Sequence, residues 1–143
     1  MDNTDELIKQ LKRHEGVELK PYHCTAEPPR LTIGVGRNLE DVGISEAEAE
    51  YLLMNDLSRF MKMANEFDWY AGLNDARKAV IISMLFNLGR GGFNKFLKFK
   101  QALAEGDHLT ASREMLDSRW AKQVKGRAVE LSKQMETGKW QQS

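Results

Sequence analysis

Apolar residues near the start of the chain recur at the spacing of one face of an α-helix. Leu7 and Leu11 are four residues apart, and they follow Asn3 and Glu6, whose spacing is that of a capping box. Gly16 comes next, and glycine is the residue type that most often ends helices. The pattern therefore predicts an opening helix that ends at Gly16.

The pattern then changes to the period of a β-strand. Leu31, Ile33 and Val35 alternate with a threonine and two glycines, which is typical of a strand with one buried face. All three prolines lie between positions 21 and 29, so no long helix crosses this region. We predict a small β-hairpin or meander over residues 18–38.

Helical spacing returns after Ser45 and continues through the second half of the chain. Ser45 and Glu48 have the spacing of a second capping box, before a helix that we expect to end at about Asn65. Asn74 is placed to cap the next helix, in which residues 79–86 are apolar nearly all round, as in a buried central helix. Shorter helices are predicted near 93–104, 107–116 and 126–135. The glycines predicted to end helices are Gly89, Gly91, Gly92 and Gly138.

These elements predict an α+β fold. A small N-terminal lobe that carries the β-hairpin, at about 14–60, would be joined by a long helix to a helical C-terminal lobe, at about 61–143. The helix over residues 3–14 is expected to belong with the C-terminal lobe, and the two lobes to form one domain over 1–143. A chain of 143 residues buries enough surface to fold without a disulfide or metal.

Composition narrows the class of protein further. One cysteine excludes an internal disulfide and, with only three histidines, does not favour a structural zinc site. No apolar run approaches the roughly 18 residues that span a membrane, and the acidic, polar start is unlike a secretory signal peptide. We therefore expect no metal, no cofactor and no transmembrane segment, and synthesis in the cytoplasm of the cell that makes the chain.

Charge is divided unevenly between the two halves of a chain whose net charge is zero. Residues 1–72 contain eight basic and 14 acidic side chains, whereas residues 73–143 contain 13 basic and seven acidic side chains. This division suggests a basic C-terminal surface for an anionic partner, for which nucleic acid and a bacterial cell wall are both candidates. An even scatter of solvated charges remains open on this evidence.

Glu15 is the first candidate for chemistry. It continues the apolar series Leu7 and Leu11 at the same four-residue spacing, so we expect a half-buried carboxylate at the end of a helix. Desolvation and the negative end of the helix dipole would both favour its protonated form, which is what a general acid needs. The spacing alone leaves open that Glu15 pairs with an arginine or lies on the helix surface.

Cys24 is the second candidate. A lone cysteine is usually an inert, buried apolar residue, but His23 and Thr25 are polar neighbours that indicate partial exposure. A thiol in a polar cleft acts as a base or nucleophile when its pKa is lowered. Strand alternation places His23 on the opposite side from Cys24, so it is not an obvious activating partner.

Several motifs, in order along nearly the whole chain, resemble those of the phage-type lysozymes, a muramidase family. The matching segments are 14–22 (HEGVELKPY), 31–36 (LTIGVG), 79–89 (AVIISMLFNLG), 118–120 (SRW), 126–128 (GRA) and 137–140 (TGKW). The resemblance implies a lysozyme-like fold. It also implies an endolysin that hydrolyses the β-1,4 glycosidic bond between N-acetylmuramic acid and N-acetylglucosamine in peptidoglycan, without a cofactor, and so lyses the host cell.

The family's catalytic Glu, Asp or Cys, and Thr fall on Glu15, Cys24 and Thr32 of this sequence. By this resemblance, Glu15 protonates the glycosidic oxygen as the sugar gains oxocarbenium character. Thr32 orients a water or stabilises charge on the far face of the ring, and Arg127 pairs with Glu15 and holds it in place.

Three further residues fall where the family contacts saccharide or supports the residues that do. They are Phe86, Asn87 and Trp120. The partners implied are peptidoglycan and a holin, since a monomeric enzyme made in the host cytoplasm needs release to reach the periplasmic wall. Whether the chain is a free endolysin or belongs to a virion or prophage stays open.

The sequence departs from the family pattern at two positions. Cys24 stands where another form of the family has Asp, and we hypothesise that its thiol serves as the base or nucleophile opposite Glu15. Arg37 stands where many relatives have His after the Gly-x-Gly segment, which puts the usual pairing of that residue in doubt.

Three other functions compete with hydrolysis. A lytic transglycosylase cuts the same bond with one Glu and no attacking water, but the presence of both Cys24 and Thr32 favours hydrolysis. A basic helical module that binds nucleic acid is disfavoured by overall neutrality and by the lack of Lys and Arg clustered along one helix. A catalytically silent wall-binding domain is the third.

Overall fold

The structure, a computed structural model, describes residues 3–141. Its elements, in chain order, are α1 (Thr4–Glu15), β1 (Glu18–His23), β2 (Leu31–Gly34), β3 (Arg37–Asn38), α2 (Glu46–Ala64), α3 (Asp75–Asn94), α4 (Leu97–Ala104), α5 (His108–Leu116), α6 (Arg119–Val124) and α7 (Gly126–Thr137). The predicted α+β class is confirmed, because a small antiparallel sheet is combined with helices that make up most of the chain.

The ends of α1 test two of the predictions. Gly16 ends the helix as predicted, with a φ of 77° and an N–H that donates to the carbonyl of Lys12 over 2.9 Å. The predicted capping box is wrong, because the side chain of Asn3 makes no capping hydrogen bond. Its backbone, at φ −111° and ψ 35°, does not have the extended conformation that aims a capping side chain at the first turn.

The three strands form the predicted meander. β1 pairs with β2, and β2 with β3, both antiparallel, in the order β1-β2-β3. Thr32 lies at the centre of this sheet, because its register partners are Tyr22 on one side and Asn38 on the other. Thr32 is also the buried residue of β2, with 3% of its surface exposed.

Reciprocal hydrogen bonds at the start of α2 confirm the second capping box. The N–H of Glu48 donates to Oγ of Ser45 over 3.1 Å, and the N–H of Ser45 donates to Oε1 of Glu48 over 2.9 Å. The helix ends at Ala64, one residue before the predicted position. Satisfying both of these N–H groups fixes the direction in which α2 leaves the sheet region.

The buried central helix is also confirmed. Asn74 caps α3 by accepting from the N–H of Arg77 over 3.0 Å, and Val80 and Leu85 are fully buried. Gly89 interrupts the helix with a φ of 72° and a ψ of 173°, after which helical turns resume as far as Asn94. The prediction that Gly91 and Gly92 also end the helix is therefore wrong. Neither has a positive φ, so both continue the resumed turns.

The later helices agree with the prediction except at two places. The predicted helix near 93–104 begins only at Leu97, because Phe93 still belongs to the end of α3. The short helix α6 was not predicted. It is capped by Ser118, whose Oγ accepts from the N–H of Ala121 over 3.1 Å, and it buries Trp120. Six residues contain too few apolar positions to produce a helical period.

The chain divides into two compact units between Tyr51 and Leu52, within α2. The buried apolar cluster found among residues 3–141 belongs entirely to the second unit, where α3, α5 and α7 pack together. Its largest fully buried side chains are Phe93, Phe99, Ile81, Met84, Leu85, Met115, Met135 and Val80. The predicted lobe boundaries, and the assignment of the first helix to the C-terminal lobe, stay predictions.

Candidate active site

Glu15 is the last residue of α1, directly before the glycine that ends the helix. The predicted half-burial is wrong, since Glu15 is exposed. The reason lies in the helix as a whole: α1 buries none of its residues, and Leu11, the preceding member of the apolar series, is 43% exposed. The apolar series therefore predicted the helix correctly but not the surroundings of its carboxylate.

The carboxylate of Glu15 lies against the turn between β2 and β3. A Cβ atom built on Gly36 would be 3.4 Å from Oε2 of Glu15, and Gly36 has a φ of +66°. A side chain at position 36 is therefore disfavoured by the backbone conformation, whereas its contact with the carboxylate would be an ordinary van der Waals one. The end of α1 thus lies within contact distance of the turn between β2 and β3.

Cys24 and Thr32 are brought together by the backbone of one residue, Arg30. The N–H of Cys24 donates to the carbonyl of Arg30 over 3.0 Å, and the N–H of Arg30 donates to Sγ of Cys24 over 3.3 Å. The same carbonyl accepts from Oγ1 of Thr32 over 2.8 Å. Cys24 and Arg30 thus close the hairpin loop between β1 and β2, with Thr32 bonded to the same peptide group.

These hydrogen bonds change the chemistry of the thiol. Hydrogen bonds from the N–H groups of Ala26 and Arg30 lower the pKa of Cys24 below its ordinary value of 9.0, against the opposing effect of burial. Cys24 is half-buried rather than enclosed. A partly accessible thiol with a lowered pKa is the kind that reacts as a thiolate.

The hydroxyl of Thr32 already donates its hydrogen to the Arg30 carbonyl. A threonine hydroxyl has one hydrogen and two lone pairs, so Thr32 retains the capacity to accept a hydrogen bond. This suits a residue that would hold a water through one of that water's own hydrogens. The roles of Glu15, Cys24 and Thr32 in catalysis stay predictions.

Arg37, which departs from the family pattern, has its own partner in this chain. Its NH1 donates to Oε1 of Glu48 over 2.8 Å and to the carbonyl of Gly43 over 3.2 Å. The hydrogen bond from Arg37 is the largest cause that lowers the pKa of Glu48 to about 2, and the hydrogen bond from the N–H of Ser45 is the second largest. The pair ties the strand that follows Gly36 to the first turn of α2.

Two predicted supporting residues meet in the second unit. Nε1 of Trp120 donates to Oδ1 of Asn87 over 2.9 Å, and Trp120 is only 3% exposed. The indole therefore fixes which way the amide of Asn87 points, and the NH₂ group of Asn87 stays available to donate. Phe86 is 45% exposed, and its ring lies 5.5 Å from that of Phe60. Their contacts with saccharide stay predictions.

Arg127 is exposed in the first turn of α7. A cation in the first turn of a helix faces the positive end of the helix dipole, which is unfavourable by roughly 0.3–1 kcal/mol. Local helix energetics therefore do not explain an arginine at this position. Its predicted pairing with Glu15 stays a prediction.

A groove on the second unit has three cationic side chains on its walls: Lys95, Lys98 and Arg119. Its volume is about 680 Å³, and apolar side chains such as Leu88 and Phe96 line it too. Two acidic residues, Glu114 and Asp117, are the remaining charged residues of its lining. The lining residues therefore have a small positive net charge, which is a minor part of the basic excess of residues 73–143.

Between residues 3 and 141, no group of three or more His, Cys, Asp and Glu side chains is arranged to hold a metal ion. The helices in that same range are all too short or too polar to cross a bilayer.

Sequence reasoning missed two residues next to the candidate site. Arg30 organises Cys24 and Thr32 through its backbone, and Nε of its side chain donates to Oδ2 of Asp41 over 3.0 Å. The two residues are eleven positions apart in irregular segments, so neither a helical nor a strand period connects them. No signal in the one-dimensional pattern pointed to this pair.

The fold and these residues define an α+β protein with a glutamate at the end of its first helix and a hairpin beside it. A family model described as phage lysozyme matches residues 12–136. The chain belongs to the phage lysozyme family, and the resemblance drawn from its motifs is confirmed. It is therefore a lytic enzyme of the lysozyme type.

Two curated relatives support this assignment. The chain is 32% identical over 136 residues to an endolysin of Acyrthosiphon pisum secondary endosymbiont phage 1, covering 92% of this chain and 88% of that protein. It is also 28% identical over 166 residues to the pre-baseplate central spike protein Gp5 of Enterobacteria phage T4. That alignment covers 96% of this chain but only 29% of the spike protein, so the similarity concerns one part of it.

Proposed function

We propose that this chain is an endolysin that hydrolyses the β-1,4 glycosidic bond between N-acetylmuramic acid and N-acetylglucosamine in bacterial peptidoglycan. The observation that carries the proposal is the arrangement around the sheet. Glu15 lies against Gly36, while Cys24 and Thr32 are bonded to one peptide group. Membership of the phage lysozyme family and the similarity to a named endolysin support the same function.

Glu15 acts as the general acid in this proposal. Its carboxyl proton goes to the glycosidic oxygen as the bond to the sugar breaks, and positive charge develops on the ring. Its position at an exposed helix end, against a glycine, leaves room for a sugar to approach. Arg127 pairs with the resulting carboxylate, which would explain why an arginine occupies an unfavourable position at the start of α7.

Cys24 supplies the group on the far side of the sugar. As a base, its thiolate takes a proton from a water held by Thr32, and the hydroxide attacks the anomeric carbon. The thiol then releases that proton to solvent, from which the carboxylate of Glu15 regains one, so both groups return to their starting forms. As a nucleophile, the thiolate would bond to the anomeric carbon before water displaced it. Detection of a thioglycoside adduct by mass spectrometry would assign the second route, and the lowered pKa of Cys24 supports either.

The second unit contributes binding in this proposal. Asn87, oriented by Trp120, donates to the saccharide, and the exposed ring of Phe86 packs against it. The cationic groove around Lys95 and Lys98 attracts the anionic wall. We propose that the enzyme works as a monomer without a cofactor, and that it is made in the host cytoplasm and reaches the periplasmic wall after a holin permeabilises the membrane.

The experiment that tests the proposal is turbidity clearing of outer-membrane-permeabilised Gram-negative cells. We expect Glu15→Gln to lower the clearing rate by at least about 100-fold, because an amide has no proton of suitable acidity to give. Glu6→Gln is the matched control, since Glu6 is an exposed glutamate of the same helix. Equal loss of activity in both variants, or full activity of Glu15→Gln, would contradict the proposal.

A further inference from the structure

The side chain of Arg30 is held by a small network on the segment that follows β3. Nε of Arg30 donates to Oδ2 of Asp41 over 3.0 Å, and Nδ2 of Asn38 donates to the same oxygen over 2.9 Å. The N–H of Asp41 in turn donates to Oδ1 of Asn38 over 3.0 Å. Residues 38–41 therefore fold back over the start of β2 and fix the Asp41 carboxylate opposite Arg30.

A second set of hydrogen bonds ties the same stretch of backbone. The N–H of Leu31 donates to Oε1 of Glu40 over 2.9 Å, and the N–H of Leu39 donates to the carbonyl of Leu31 over 2.8 Å. The residue directly after Arg30 is thus anchored to the segment that also holds the Arg30 side chain. An exposed ion pair by itself stabilises a fold only slightly, but this one lies next to the backbone groups that bond to Cys24 and Thr32.

We propose that Arg30 is a positioning residue for the proposed reaction and that Asp41 acts through it. The Arg30–Asp41 ion pair holds the backbone of Arg30 in the conformation in which its N–H donates to Sγ of Cys24 and its carbonyl accepts from Thr32. This inference rests on the proposed function, because it assigns the pair a purpose in presenting Cys24 and Thr32 to a substrate. All the residues involved lie in the first unit.

The geometry makes the role of the pair specific. The backbone of Arg30 makes three of the contacts described at the candidate site: one to Sγ of Cys24, one from the N–H of Cys24 and one from the hydroxyl of Thr32. If the side chain of Arg30 lost Asp41, the backbone N–H of Arg30 would be held less firmly, and its hydrogen bond to the sulfur would weaken. A sulfur with weaker N–H hydrogen bonds is less stabilised as a thiolate.

The single cysteine of the chain makes this testable without measuring catalysis. The rate at which iodoacetamide alkylates Cys24, followed against pH, gives the pKa of that one thiol. For Asp41→Ala we expect the midpoint to rise by about half a pH unit, so that alkylation below the midpoint slows about three-fold. Arg30→Ala should raise the midpoint at least as far, because it removes the same interaction together with a nearby cation that favours the thiolate. The double variant should also raise the midpoint, because the interaction is absent there too.

The direction in which the Cys24 midpoint shifts distinguishes loss of positioning from the direct electrostatic effect of the Asp41 charge. Removing the negative charge of Asp41 would by itself lower the thiol pKa, since a nearby anion disfavours a thiolate. A rise in Asp41→Ala therefore has to come from the lost orientation of Arg30. Glu27→Gln is the matched control, because it removes an exposed carboxylate from the hairpin loop that Cys24 and Arg30 close. We expect its midpoint to stay unchanged or fall.

Circular dichroism and the midpoint of thermal unfolding establish that each variant is folded at the assay temperature. If Asp41→Ala is not folded there, Asp41→Asn provides the measurement, because it keeps an acceptor for Arg30 and should give a smaller rise. A midpoint in the folded variants that is equal to or below that of the wild type overturns the proposal. If the alkylation midpoint rises in the variants but the wild-type protein clears no cells, Arg30 still positions Cys24, and the proposed function is rejected.

Discussion

At the scale of single residues, the backbone N–H and carbonyl of Arg30 bond to two side chains of the candidate active site. Its N–H lies 3.3 Å from Sγ of Cys24, and its carbonyl lies 2.8 Å from Oγ1 of Thr32. N–H donors stabilise a thiolate, and the thiolate is the form in which cysteine acts as a base or nucleophile. The chemistry proposed here therefore depends on a side chain at position 24 that can ionise near neutral pH.

Substituting Cys24 tests that dependence. We expect Cys24→Ser to reduce kcat by about 100-fold or more, because a serine hydroxyl does not ionise near neutral pH. Cys24→Asp should retain much more activity, since another form of the family carries Asp at this position. Thr25→Ser, an exposed neighbour, serves as the control. Kinetics on purified peptidoglycan measure all three variants, and full activity of Cys24→Ser would remove Cys24 from the mechanism.

The sequence predicted part of the candidate site because motifs preserve order along the chain. Glu15, Cys24 and Thr32 were identified from a resemblance, and the structure places Cys24 beside Thr32. Arg30 and Asp41 were missed, because their contact depends on how two irregular segments fold back on each other. Such a contact has no period, and single residues do not specify the path of a loop.

At the scale of helices and strands, capping shows what residue identity can and cannot predict. The capping box of Ser45 and the cap of Asn74 were both predicted and are both formed. Asn3 has a suitable side chain but makes no cap, because its backbone has a ψ of 35° where Asn74 has 171°. A cap requires an extended backbone as well as an acceptor, and only the acceptor is visible in a sequence.

The pair of Arg37 and Glu48 predicts how stability at this junction depends on pH. Glu48 has a pKa of about 2 in the folded protein, against an ordinary value of 4.5. A carboxyl whose pKa is depressed by folding stabilises the fold above its unfolded pKa, and this contribution is lost as the pH falls toward the folded pKa. The contribution should therefore be complete above about pH 5 and absent near pH 2.

Glu48→Gln isolates this effect, because glutamine still completes the capping box with Ser45. We expect the variant to have a lower Tm than the wild type at pH 7, and the difference to disappear as the pH approaches 2. Asp56→Asn is the matched control, since Asp56 pairs with Arg59 over 3.2 Å on the same helix. Thermal unfolding followed by circular dichroism measures the difference. A gap in Tm that does not change with pH would contradict the account.

At the scale of the whole molecule, the two halves of the chain carry opposite charge. The acidic residues predominate up to residue 72 and the basic residues after it, and three of the basic side chains line one groove in the second unit. This concentration of positive charge suits adsorption to an anionic polymer, and such adsorption weakens as salt screens the charges.

Binding of the chain to purified cell-wall sacculi tests this role of charge. We expect the Glu15→Gln variant to co-sediment with sacculi at low ionic strength and to be released as sodium chloride is raised. Adding Lys95→Gln and Lys98→Gln should lower the sodium chloride concentration at which the protein is released from sacculi, because both lysines line the groove. Lys139→Gln is the control, since Lys139 is exposed and outside the lining of the groove. Release that is insensitive to salt would contradict a charge-driven contact.

Digestion of peptidoglycan in water enriched in ¹⁸O distinguishes hydrolysis from transglycosylation. Hydrolysis adds the elements of one water across the glycosidic bond, so we expect each new reducing end to carry one ¹⁸O atom by mass spectrometry. The label should be absent from digests with Glu15→Gln. Unlabelled products lighter by one water would instead identify a lytic transglycosylase and exclude hydrolysis by Glu15 and Cys24.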